Sequence, residues 1–234
     1  MNSFSHTFPP VKSEKISVSR RYALFGGSFN PIHQGHVEIV RYLLENWAEH
    51  VYVMPAGCSP FKDKSLLLPD ALRLKMTQSV FEGWTQVTVS SLEIQQPGAS
   101  YTWNTLQELC QHTPNDSWYL ILGMDAFLSF YKWYRARQIM DMASLLVFPR
   151  TGFALKPTDI EQTETMNYFR SHWPESEWNP EDKTFRTNQH CLIQFLDTVV
   201  PDISATDIRE QTLIDSVPES ARCFYQQYLA ERNF

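Results

Sequence analysis

Two histidines three residues apart, His33 and His36, close the stretch YALFGGSFNPIHQGH that runs from Tyr22 to His36. A strand that ends in glycines and turns into a helix offers backbone N–H groups and the positive end of a helix dipole, a setting that suits an anion. Imidazoles at i and i+3 at that helix start can both reach the same anion. The glycine spacing is not GxGxxG, so dinucleotide binding of the dehydrogenase kind is not indicated. Three roles stand open for the pair: metal ligands, structural histidines satisfied by the fold, and N–H donors to phosphate oxygens. No third ligand lies at a familiar metal-site spacing, and the adjoining glycine turn favours the phosphate role.

The second stretch is ISATDIR, from Ile203 to Arg209. Ser204 followed three residues later by Asp207 is a capping-box pattern, so a helix is expected to begin there. Its first-turn N–H groups and the hydroxyls of Ser204 and Thr206 form a second anion cradle, and Arg209 can clamp phosphate oxygens as a fork. Alone, this is a commonplace helix cap. Beside the histidine stretch it becomes specific.

These residues need a scaffold that brings strand ends and helix starts to one place. Short β-prone runs at 22–25, 51–54, 87–89, 118–122 and 145–148 alternate with helical periodicity. Val40, Leu43, Leu44 and Trp47 fall on one face of a helix starting near Gly35 or His36. Further helices are expected over 72–81, opened by Pro69-Asp70 and closed by Gly83, and from Thr102 to Cys110. Strands separated by helices of this length predict right-handed crossovers. The expected fold is α/β, a Rossmann-like doubly wound, mostly parallel sheet with helices on both faces and a small C-terminal helical portion. Residues 153–190 carry Pro157, Pro174 and Pro180 and poorly spaced aromatics, and read as an irregular excursion with one helix near 159–170. A strand resumes at 191–196, and Pro218 opens a last helix with an apolar stripe of Ala221, Phe224, Tyr225, Tyr228 and Leu229.

The chain has 234 residues, with 20 Lys+Arg against 26 Asp+Glu and a formal charge of -6. That acidic balance argues against coating nucleic acid or anionic membrane by bulk charge, while a local donor cluster can still hold a small phosphorylated ligand. Hydrophobic residues at 43% are enough for a sizeable core. Four scattered cysteines, Cys58, Cys110, Cys191 and Cys223, without a CxxC pair fit neither a zinc site nor a disulfide framework, and are expected to be reduced, mostly packed thiols. No apolar run approaches the ~18 residues of a membrane span. The N-terminus lacks a hydrophobic segment after a basic start. Residues 1–20 are therefore expected to be a polar tail, 21–234 a single domain, and the location cytoplasmic, with oligomeric state left open.

With both stretches in view, the chain resembles the nicotinate-nucleotide adenylyltransferases, nucleotidyltransferases marked by HxGH and ISxTxxR. The likeness extends from about Tyr22 to the C-terminus and includes PAGCSPFK (55–62), SYTWNTL (100–106), LGMDA (122–126) with Trp133, and Pro149-Arg150. It implies adenylyl transfer from ATP to nicotinate mononucleotide in NAD biosynthesis. By matched position it implies that Gly26, Gly27, Ser28, Phe29 and Gly35 line the ATP site, with His33 and His36 on the phosphates. Gly123 and Asp125 would lie on the adenosine and ribose side, and Ile203, Ser204, Thr206 and Arg209 would hold the adenine side and the β- and γ-phosphates. Thr102 and Trp133 match the nicotinate pocket, and Lys62 and Arg150 the acceptor's phosphate. Catalysis would fall to His33, His36 and Arg209, with Mg²⁺ carried by ATP and no dedicated protein metal site. The implied partners are these small molecules, with neither nucleic acid nor membrane.

The chain departs from the family at Asn30 and Asn104, where many members have Asp, so neither position is assigned a general base. Related enzymes that accept nicotinamide mononucleotide or another phosphorylated acceptor remain the alternative. Phosphopantetheine enzymes are disfavoured by their shorter chains and by His33, where they usually carry Thr. Lys75-Met-Thr-Gln-Ser79 faintly resembles the KMSKS loop of class I aminoacyl-tRNA synthetases, but it follows the histidines too soon and lies on an expected helix. A non-catalytic nucleotide-binding protein is disfavoured by the intact histidines and Arg209.

Overall fold

The computed structural model describes residues 19–57, 67–149, 164–182, 184–187, 191–196, 203, 205–210 and 213–232. The sequence alternates apolar side chains on both faces of its strands, and the structure buries both. The strands are β1 (Arg21–Gly27), β2 (His50–Pro55), β3 (Val87–Val89), β4 (Ser117–Gly123), β5 (Ser144–Phe148), β6 (Glu177–Asn179), β7 (Thr184–Arg186) and β8 (Leu192–Phe195). They form one sheet in the order β3-β2-β1-β4-β5-β8-β7-β6. Along β1, Ala23 and Phe25 enter one core and Leu24 the other. Ile121 and Leu146 repeat the first choice, and Leu120, Leu122, Leu145 and Val147 the second.

The helices are α1 (Gln34–Asn46), α2 (Asp70–Val80), α3 (Leu92–Gln95), α4 (Thr102–His112), α5 (Met124–Ser129), α6 (Ala136–Met142), α7 (Glu164–His172), α8 (Ala205–Arg209) and α9 (Glu219–Arg232). Val40 and Leu43 of α1, Met76 of α2 and Tyr225 of α9 complete one core. Leu106 of α4, Phe127 of α5, Ile139 of α6 and Phe169 of α7 complete the other. This is the expected doubly wound layering, with helices on both faces of the sheet.

Sequence and structure agree within a residue or two at most helix ends. Gly83 closes the α2 region at φ +81°, in the left-handed space glycine enters freely. Pro218 lies one residue before α9, where its carbonyl accepts the N–H of Ala221 at 2.9 Å and of Arg222 at 3.0 Å.

The larger difference lies within 153–190. Beyond α7, β6 and β7 pair antiparallel with each other, and β7 pairs antiparallel with β8, extending the sheet. Three-residue strands give periodicity too little length to register. What holds them is long-range packing: Phe185 stacks on Phe169 at 3.5 Å between ring centroids and lies 4.7 Å from the Trp178 ring.

Strand order decides where a ligand can sit. From β1 the chain steps outward through β2 and β3, then returns to the opposite side of β1 with β4. The carboxyl ends of β1 and β4 thus flank the switch point, where open α/β sheets leave a crevice. No helix among the described residues is long and apolar enough to cross a membrane.

Candidate active site

At that switch point lies a cleft of about 330 Å³. The ends of β1 and β4 form its floor: Leu24 to Ser28 from one, Leu120 to Gly123 from the other, with Asp125 beyond. Ser100, Tyr101 and Thr102, at the start of α4, form one wall, and Trp133 and Tyr134 another. The cleft therefore gathers the predicted residues Gly26, Gly27, Ser28, Gly123, Asp125, Thr102 and Trp133. Lys62, Arg150 and Ser204 lie outside the described residues.

His33, His36, Gly35, Phe29, Ile203, Thr206 and Arg209 do not line this cleft; they belong to the adjoining turn after β1 and the helices beside it. His33 precedes α1 in extended backbone, with φ -145° and ψ 171°. Its backbone N–H donates to Nδ1 of His36 at 3.2 Å, which puts the His36 ring proton on Nε2. The two imidazoles lie 3.7 Å apart between centroids, tilted by 32°. Phe29 meets the His36 ring edge-on at 4.9 Å. So the sequence feature that reads as two donors also makes a helix start, with His36 serving where Glu or Gln usually does.

The turn itself is held under strain. Phe29 is buried with φ +42°, a left-handed conformation that costs a non-glycine residue about 1–3 kcal/mol. The carbonyls on either side of it are each gripped by an arginine. Arg73 Nη1 donates to Ser28 O at 2.6 Å, and Arg209 Nη1 donates to Asn30 O at 2.6 Å. Asn30 Oδ1 accepts the Leu68 N–H at 2.7 Å, so this amide fastens the turn to the segment before α2. The Phe29 side chain points into the core, against Gly27 and His36, and its contribution to the turn is its backbone shape.

Arg209 also donates through Nη2 to Thr206 Oγ1 at 3.0 Å. One guanidinium thereby joins two motifs 179 residues apart in the chain. Tyr225 of α9 lies behind it; burial raises the phenol above its ordinary value, and the Arg209 charge opposes that shift. Ile203 is half-buried against the same core.

Opposite, Gly123 precedes α5 closely enough that a Cβ there would lie 2.8 Å from Asp125 Oδ1. The half-exposed rim of the cleft beside α4 is aromatic and cationic. Tyr101 and Tyr134 rings are 4.9 Å apart, and the Arg135 guanidinium lies 4.1 Å from the Trp103 ring centre.

Sequence reasoning missed Tyr134, Glu93 and Arg73. Tyr134 adjoins Trp133 and could have been found by proximity. Glu93, between Leu92 and Ile94 in the chain, is buried on a four-residue helix too short for a periodic signal. Arg73 is wholly buried, yet Arg73, Met76, Thr77 and Val80 share the i, i+3, i+4, i+7 spacing of a core face, a signal present in the sequence.

The cysteines behave as packed thiols where buried: burial pushes Cys110 to about 11 and Cys191 to about 12, while Cys223 is exposed. All three are free, and Cys58 lies outside the described residues.

The cytidylyltransferase-like family profile matches the chain over residues 24–211. A probable nicotinate-nucleotide adenylyltransferase of Bacteroides fragilis (strain YCH46) is 38% identical over 138 residues, 58% of this chain and 69% of the relative. A protein of the same description from Yersinia pestis (strain Pestoides F) is 32% identical over 209 residues, 86% of this chain and 87% of the relative. Among solved structures, the nicotinic acid mononucleotide adenylyltransferase of Plasmodium falciparum complexed with NaAD matches with a TM-score of 0.65 at 14% identity, covering 89% of this chain and 96% of that one. At that identity the likeness is one of fold.

Proposed function

Because the chain belongs to the cytidylyltransferase-like family, among its nicotinate-nucleotide adenylyltransferases, we propose that it transfers the adenylyl group of ATP to nicotinate mononucleotide, releasing nicotinate adenine dinucleotide and pyrophosphate in NAD biosynthesis. The observation that carries this reading is the Arg209 bond to Asn30 O, which draws the ISxTxxR arginine onto the HxGH turn beside the cleft.

In the reaction, a 5′-phosphate oxygen of the mononucleotide attacks the α-phosphorus of ATP. The bond from that phosphorus to the oxygen bridging the β-phosphate breaks, and pyrophosphate leaves with the electron pair. The nucleophile is already anionic near neutral pH, so no general base and no covalent enzyme intermediate are needed. What the chain supplies is in-line placement and compensation of negative charge. His36, with its proton on Nε2, donates to the triphosphate, and Arg209 compensates the departing pyrophosphate from the far side of the turn. His33 assists from the helix start. Gly26, Gly27, Ser28 and Gly35 let the nucleotide approach the backbone, with Phe29 shaping the turn. Gly123, Asp125, Ile203, Ser204 and Thr206 hold its adenosine side. ATP would bring Mg²⁺ on its own phosphates, and the metal would supply charge neutralisation there. Among the described residues no three His, Cys, Asp or Glu side chains gather to hold a metal of their own.

On the acceptor side the Trp133 indole stacks on the pyridine ring, and the first backbone N–H groups of α4 at Thr102 receive the nicotinate carboxylate. A carboxylate accepts from such donors, whereas an amide brings N–H groups of its own, which favours acid over amide. Lys62 and Arg150 serve the acceptor's phosphate. Incubation with ATP, Mg²⁺ and nicotinate mononucleotide is expected to give dinucleotide and pyrophosphate in equal amounts. Failure to form dinucleotide from nicotinate mononucleotide would overturn the proposal.

A further inference from the structure

Two buried charged side chains outside the roles assigned above meet at a single peptide group. Arg73 of α2 has no exposed surface, and its Nη2 donates to Ala56 O at 2.8 Å. On the other end of that peptide, the Gly57 N–H donates to the Glu93 carboxylate. Glu93 also accepts from Thr105 Oγ1 at 2.9 Å and from the Ser100 side chain. Gly57 sits so close that a Cβ would lie 2.1 Å from Glu93 O. Only glycine fits there.

The other contacts of the two residues lead to opposite sides of the cleft. Arg73 reaches Ser28 O through Nη1 and Leu68 O through Nε, at 2.6 and 3.2 Å, and pairs with Asp70 at 2.6 Å. It is thus tied to the glycine turn that cradles phosphate. Glu93, through Ser100 and Thr105, is tied to the start of α4, the acceptor wall. Ala56 and Glu93 themselves line the cleft.

We propose that Arg73 and Glu93 are positioning residues which hold the Ala56–Gly57 peptide between them and so fix the spacing of the ATP turn and the acceptor wall. The inference rests on the adenylyl-transfer reading, in which two substrates held on separate walls must meet in line. Neither half-site is lost when the tie is loosened. The two reactants still bind, but the attacking oxygen and the α-phosphorus no longer meet at reacting distance. Burial raises the Glu93 carboxyl and its three donors, Thr105, Ser100 and Gly57, oppose that shift, so a group costly to bury is kept there by its hydrogen bonds.

The test is steady-state kinetics, with direct titration of ATP alone and mononucleotide alone, on Glu93→Gln, Arg73→Lys and the double variant. Each single change is expected to lower kcat by about 10- to 100-fold, the scale set by ångström misplacement of reactants. Both KM values and both binding constants should stay within about threefold, a smaller change than the loss of one hydrogen bond to a ligand. The double variant should lose much less than the product of the single losses, since both residues act on one peptide. A kcat within about twofold of wild type in folded singles, a loss confined to KM, or multiplicative losses would each overturn the proposal. If these variants fail to fold, Thr105→Val decides. Thr105 is buried, lines no substrate surface and removes only one donor to Glu93. It should show a smaller loss, about three- to tenfold and again confined to kcat, and an unchanged kcat would sink the proposal. Wild-type protein is assayed alongside. Its failure to make dinucleotide would refute the adenylyl-transfer reading and this inference with it, whereas an active wild type with unaffected variants refutes the inference alone.

Discussion

In the turn proposed to hold phosphate, beside the cleft, the groups assigned to the substrate also hold the backbone. His36 Nδ1 takes the His33 N–H while Nε2 carries the proton for a ligand, and Arg209 grips Asn30 O beside the phosphates it is assigned to. On the acceptor side the work is divided. Thr102, Trp133 and Tyr134 offer their surfaces to the cleft, while the walls are held by a separate buried pair, Arg73 behind the lining and Glu93 at its inner edge. Where one residue does both jobs, chemistry and local structure should fail together. Where they are separate, each should fail alone.

The largest expected effect tests the first half of that contrast. His36→Ala or Arg209→Ala should lower turnover by about 100-fold or more, the scale for losing one donor to a transition state. Arg209→Ala should also lower stability by about 1–2 kcal/mol, because Asn30 O loses its partner at a strained turn. Parallel measurement of kcat and of urea unfolding checks both. Turnover within a few-fold in folded His36→Ala would shift the charge role to the backbone around the glycines.

Trp133→Ala probes the second half. Loss of a stacking partner worth about 1–3 kcal/mol should raise KM for the mononucleotide roughly tenfold or more. KM for ATP should barely move, while the melting temperature falls only as far as the lost packing of Trp133 on Phe130 requires. A matching rise in both KM values would show that the two sides are not separable.

Glu93 gives a smaller, pH-dependent effect. Its carboxyl is held above the ordinary 4.5, chiefly by burial. A raised value means that the folded state holds its proton more tightly than the unfolded chain. The contribution of Glu93 to stability is therefore fully present below 4.5 and is lost as pH rises through its folded value. The melting temperature of Glu93→Gln relative to wild type should accordingly improve as pH rises from about 4.5 towards 7; a flat difference would contradict the assigned direction. The smallest effect concerns the thiols. Under native conditions a maleimide should modify Cys223 well before Cys110 or Cys191, whose thiols burial raises to about 11 and 12. Faster labelling of Cys110 in Thr105→Val would report a loosened α4.

The phosphate side was legible in the sequence because its marks are local. Glycines, histidines and a hydroxyl-rich helix start stand within a few residues of one another, and the five apolar runs at 22–25 through 145–148 carry the parallel core. The acceptor side was legible only at Thr102 and Trp133, through the family likeness. Glu93 and Arg73 escaped because their work is done on backbone groups distant in sequence, and Gly57 reads as an ordinary loop glycine until Glu93 O is set against it. The β6–β7 hairpin escaped for the related reason that its strands are three residues long and are held by Phe169 and Trp178, not by their own pattern. In each case the determining contacts are long-range; local spacing can mark Arg73 as a core-face residue but does not say which backbone groups it holds.

The most direct test of the assigned activity is dinucleotide formation from ATP and Mg²⁺ with nicotinate mononucleotide and, on the same preparation, with nicotinamide mononucleotide. The acid is expected to be preferred in kcat/KM by at least about tenfold, equivalent to 1.4 kcal/mol of discrimination. Equal use of the two, or preference for the amide, would contradict the carboxylate site assigned to the start of α4.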